Sequence, residues 1–108
     1  MPSQTRSMLF REVPEEVLRF AEKEHVAEYL PGVLEMTRRV FPDAERGAVV
    51  LEGDPEFPDW HIVLEVFVPK MSADDYADRH HQWCHEIGDV CPARYACVFR
   101  LGLETSDP

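Results

Sequence analysis

Three of the five histidines and two of the three cysteines fall within residues 72–91, SADDYADRHHQWCHEIGDVC. Imidazole nitrogen and thiolate sulfur are the usual zinc ligands, and a thiolate beside an imidazolium is the usual cysteine nucleophile. The segment therefore has to be read first for metal and thiol chemistry. Helical spacing places His81 and His85 one turn apart, about 6 Å along the axis on one face, with Asp78 close enough to join them. These three residues are the candidate metal ligands, and zinc the candidate ion. Asp74 lies a further turn away and is not expected to reach the same ion as His85. The string HHQWCHE matches neither HExxH nor HxxEH, so no metalloprotease signature is present.

The same periodicity gathers Tyr76, His80, Trp83, Cys84, Ile87 and Cys91 on an apolar stripe. His80 and Cys91 would stand roughly 16 Å apart and could not share an ion. On that stripe His80 reads as a core histidine holding one internal hydrogen bond, and Cys84 as a structural thiol. A catalytic Cys84, activated by His80 or His81, is the sharper alternative. Four carboxylates, Glu52, Asp54, Glu56 and Asp59, sit in the connection GDPEFPD and its flanks and could hold a hard cation. Pro55 and Pro58 stiffen that stretch, no EF-hand glycine spacing is present, and acidic residues are ordinary turn formers, so a plain turn is expected.

These groups need elements to position them. Ser72 starts the helix as an N-cap, with Asp75 at the capping-box position, and Gly88 to Pro92 ends it. Pro14, Glu15 and Glu16 start an earlier helix, with Val17, Leu18, Ala21 and His25 on its inner side. Pro31 demands a break between about His25 and Leu30. A second helix follows, burying Val33, Leu34, Thr37, Val40 and Phe41 and stopping at Pro42. Ala48–Glu52 and Trp60–Val68 are β-branched and apolar and read as an antiparallel hairpin. Trp60, Ile62, Leu64, Val66 and Val68 form its core face, while His61, Val63, Glu65 and Phe67 point the other way. Tyr95–Glu104 alternates as a third strand, and a short strand at Ser7–Val13 is possible on pattern.

The expected architecture is α+β: two N-terminal helices, an antiparallel hairpin, a crossover helix and a third strand, with the helices packed on one face of a small sheet. A single domain over residues 1–108 is expected, with about 1–6 and 105–108 flexible. The run VPEEVLRFAEKE, EYLPGVLEM, VFPDA, VLEGDPEFPDWHIVLEV and CPARYACVFRLGLE resembles a group of small, uncharacterised bacterial α+β proteins with a DPE turn in the hairpin. That resemblance implies the same fold and brings no activity, cofactor or catalytic residue with it.

Composition bounds the function. The chain has 108 residues, enough to bury roughly two-thirds of its unfolded surface. Twenty-one acidic against eleven basic side chains give a net charge of −10, which disfavours direct contact with nucleic acids or anionic membranes. No apolar run follows a basic start, and no stretch could span a bilayer, so a cytoplasmic location with reduced cysteines is expected. With no catalytic residue assigned, the leading expectation is a non-enzymatic interaction or regulatory module. It would act through the second sheet face, Val63, Glu65, Phe67, Val98 and Arg100, as a homodimer or beside a basic protein partner. The alternatives are a metal-binding protein or metal-dependent hydrolase using the helix histidines, and a small-molecule sensor whose pocket is lined by Trp60, Tyr76, His80, Trp83 and Phe99.

Overall fold

The computed structural model describes residues 9–54 and 56–106. Its elements run α1 (Glu15–Lys23), α2 (Leu30–Val40), β1 (Arg46–Asp54), β2 (Phe57–Pro69), α3 (Ala73–Val90), α4 (Ala93–Ala96) and β3 (Phe99–Ser106). The sheet order is β1-β2-β3. β1 pairs with β2 antiparallel, Val50 opposite Val63, and β2 pairs with β3 parallel, Ile62 opposite Phe99. The parallel pair requires the crossover that α3 supplies. The expected α+β order is what forms, with helices packed against a three-stranded mixed sheet.

α1 begins on Pro14, whose carbonyl accepts from Val17 N and Leu18 N. It ends in a tight reversal. Val26 N donates to Ala21 O at 2.8 Å and His25 N to Glu22 O at 3.1 Å, with His25 left-handed at φ 63°. This is the Schellman pattern, in which glycine usually holds the left-handed position. His25 therefore lies outside the helix and off its inner stripe, and Leu18 is 44% exposed. Val17, Ala21 and Val26 are the fully buried residues of this unit.

α2 carries Pro31 in its first turn, where no hydrogen bond is lost, and buries Leu30, Val33, Leu34, Met36, Thr37 and Val40. Ser72 caps α3, its Oγ accepting from Asp75 N at 3.1 Å. α3 is fastened to α2 at three levels. Arg79 grips Asp43 with both terminal nitrogens, at 2.9 and 3.3 Å, and also donates to Val40 O. Trp83 Nε1 donates to Thr37 Oγ1 at 2.9 Å, and that hydroxyl donates to Val33 O at 2.7 Å. Arg39 pairs with Glu86.

Every inward residue of β2 from Ile62 to Val68 is fully buried: Ile62, Leu64, Val66 and Val68. They join Val49, Phe99, Leu103, Trp83, Ile87 and the helix residues in one cluster. Leu9 and Phe10 belong to that cluster too. Arg38 Nε holds Leu9 O at 3.0 Å, and a Cβ on Gly47 would stand 2.9 Å from Phe10 Cε1, so only glycine leaves room for this turn.

Four expectations are corrected. Residues 9–13 form turn and coil rather than a strand, while Ser7 and Met8 lie outside the described residues. β3 starts at Phe99, because Pro92 caps the short helix α4 and Cys97 follows it in a turn. Thr105 and Ser106 belong to β3 and pair with Val68 and Pro69, whereas residues 1–6, 107 and 108 lie outside the described residues. Trp60 is 38% exposed, not core, because β3 pairing begins at Ile62 and the hairpin projects beyond it.

Candidate functional site

The outward side of the sheet gathers Arg46, Ala48, Val50 and Glu52 from β1, His61, Val63, Glu65 and Phe67 from β2, and Arg100, Gly102 and Glu104 from β3. This follows from register, since cross-strand partners share a face. Val63, at the centre, is 7% exposed, yet it lies outside the core cluster, as do Ala48, Val50 and Phe67. Val50 and Arg100 stand opposite it, and a Cβ on Gly102 would meet its Cγ1 at 3.3 Å. The Leu9–Phe10 turn, which could have covered this face, packs into the core instead.

Polar groups on the face are sparsely paired. Arg46 lies over the Phe67 ring, 4.2 Å from its centroid, a cation–π contact that shields an otherwise bare phenyl. His61 Nε2 stands 3.4 Å from Asp59 Oδ1. Arg100 stands opposite Val63, Glu65 faces Gly102, and Glu52 faces His61, two strands from Arg100. Among the described residues Arg100, Glu65 and Glu52 form no ion pair. Val98, the remaining expected interface residue, packs half-buried against the core cluster in the turn before β3. Arg46 lies outside the expected strand, because β1 extends two residues further at each end than its apolar run shows.

Beside this face, a hollow of about 460 Å³ is lined by Leu51, Glu52, Trp60, His61, Val63 and Arg100, among others. A second, of about 350 Å³, is lined by Phe20, Lys23, Glu24, Trp60, Cys97 and Val98, among others. Trp60 borders both. Its indole lies against Gly53, where a Cβ would come 2.3 Å from Cδ2.

The expected ligand-pocket set does not converge on either hollow. Trp83 is buried and spent on Thr37, Phe99 is core, and Tyr76, half-exposed, donates its hydroxyl to Leu103 O at 2.8 Å. Of the five, Trp60 alone lines these hollows. His80 is half-buried on α3, at the margin of the α2 contact rather than within the core.

Asp78, His81 and His85 are all exposed on α3. Among the described residues no three histidine, cysteine or acidic side chains converge where they could hold one ion. All three cysteines are free. Cys91 is buried, and burial pushes its thiol up, with Cys97 adding to the rise. Cys84 is exposed, correcting its place on the apolar stripe, and its Sγ lies 3.7 Å from His80 Nδ1. Elsewhere, burial followed by the charge of Glu28 raises the Tyr29 hydroxyl, whose ring lies 5.8 Å from that of Tyr95. Among the described residues no helix is long and apolar enough to cross a membrane. No family model, curated protein or solved structure was found to match this chain.

Proposed function

We propose that this protein is a non-enzymatic interaction module that pairs with a second copy of itself through the outward face of the sheet. The observation that carries the reading is the state of that face. Its apolar centre, Val50, Val63 and Phe67, stays outside the core, and Arg100 lies beside it without an ionic partner among the described residues. A two-fold contact sets each surface against itself, so a face with an unpaired cation and unpaired carboxylates can satisfy both across the axis. A purely basic partner would leave Arg46 and Arg100 facing like charge.

The size of the face sets the strength. Three strands about 4.8 Å apart, each pair matched over eight residues, span about 14 Å by 26 Å. That lies at the small end of specific interfaces, where micromolar dissociation is expected. Sedimentation velocity from about 1 μM to about 1 mM tests it. The expected result is a concentration-dependent dimer that Arg100→Glu or Val50→Glu weakens roughly tenfold or more. A strict monomer throughout that range, or a dimer indifferent to both substitutions, refutes the proposal.

A further inference from the structure

His80 and Cys84 lie one turn apart on α3, with Cys84 Sγ 3.7 Å from His80 Nδ1. In a tetrahedral zinc site, Zn–S of about 2.3 Å and Zn–N of about 2.05 Å put a sulfur and a nitrogen ligand about 3.6 Å apart. The pair already stands at the spacing a tetrahedral ion requires. The surroundings leave an ion room. Cys84 is exposed, and Gly88, one turn further along that side of the helix, has nothing within 4 Å of where its Cβ would stand. Since a helical Cα–Cβ bond tilts towards the N-terminus, that open space lies on the Cys84 side of Gly88.

We infer that His80 and Cys84 form a two-point clamp for a thiophilic divalent cation of the zinc class. Cys84 binds as thiolate and His80 as neutral imidazole through Nδ1, and the other coordination positions are open to water. Binding releases the thiol proton to solvent without any change in oxidation state, so it strengthens as pH rises. His81 and His85, each about 100° round the helix from its neighbour in the clamp, make a second pair one turn apart. That pair lacks sulfur and is distinguishable on that ground.

The test is titration of the full, reduced chain with Co(II), followed by displacement with Zn(II). The expected result is a thiolate-to-cobalt charge-transfer absorption that saturates at one ion per chain, with a proton released, and is bleached by zinc. Cys84→Ser abolishes the band and His80→Ala weakens binding roughly tenfold or more. Cys97→Ser and the double variant His81→Ala/His85→Ala leave it in place. Absence of the band at millimolar cobalt overturns the clamp, as does its survival in Cys84→Ser or its loss in His81→Ala/His85→Ala. Circular dichroism of each variant separates loss of the ion from loss of fold, and the exposed Cys84→Ser gives a reading even if His80→Ala unfolds.

Discussion

Thr37 is the one buried polar side chain among the described residues, and its hydroxyl links the two long helices. It accepts from Trp83 Nε1 at 2.9 Å and donates to Val33 O at 2.7 Å, so Thr37→Val removes an acceptor without changing the side chain's shape. The Val33 carbonyl keeps its helical hydrogen bond, whereas the indole N–H, on a residue 3% exposed, is left with no partner. A buried donor stranded in this way costs about 1–3 kcal/mol. For a domain of this size about 2 kcal/mol corresponds to a fall in Tm of roughly 10 °C. Thr37→Ser keeps the hydroxyl and deletes one buried methyl, which costs about 1 kcal/mol. Urea unfolding followed by circular dichroism should rank the proteins native, Thr37→Ser, Thr37→Val. A cycle with Trp83→Phe should return a coupling of about 1 kcal/mol, since removing both partners strands nothing. A Thr37→Val protein within about 0.5 kcal/mol of native, or one no less stable than Thr37→Ser, would refute the role given to this bond.

Two further outcomes follow from the helix ends. The Arg79 hydrogen bonds hold the Asp43 carboxyl below its ordinary range, and a carboxyl lowered in the folded state adds stability above its unfolded value that is lost as pH falls through the folded one. Asp43→Asn should therefore lower stability at pH 7 and flatten the decline below about pH 4. The effect should stay under about 1 kcal/mol because the pair is partly solvated; acid titrations of stability that superimpose on native count against it. His25, at φ 63°, holds a conformation that favours glycine, so His25→Gly should raise stability by about 0.5–1 kcal/mol. A lower Tm for that variant would mean that the imidazole makes a compensating contact.

Much of this arrangement was legible because local chemistry and tertiary packing agree. Ser72 caps α3 as its type and position require, Pro31 sits in a first turn, and the alternation of Ile62, Leu64, Val66 and Val68 maps onto a fully buried face. The misreadings arise where a pattern outruns its element. Trp60 continues the β2 alternation, but β3 pairing starts two residues later, so the alternation persists where the core has ended. Tyr95 and Cys97 keep step with Phe99, yet Ala93–Ala96 is helical behind Pro92. His25 keeps helical step with Ala21, and the reversal there lacks the glycine that would have flagged it. On α3 the buried stripe is narrower than the periodicity predicts. Arg79, Trp83 and Glu86 face α2, which puts Tyr76, His80 and Cys84 at the margin of that contact. The spacing of His80 and Cys84 was visible, but not that the pair would be left accessible.

That no helix among the described residues packs on the outward sheet face is a consequence of topology rather than of any one residue. A parallel pair such as β2–β3 needs a crossover, and all-parallel sheets carry helices on both faces. Here one crossover is made, by α3, and its buried residues join those of α1 and α2 in a single cluster on one side of β2. Among the described residues no second crossover lies over Val63, which stands mid-strand in the central position of the sheet. Arg100 stands directly opposite it on the parallel strand. An antiparallel sheet with one wet face would carry polar residues along that face; this one carries Ala48, Val50, Val63 and Phe67 among its charges. The described helices thus bury one side of β2, and the proposed self-association rests on the other.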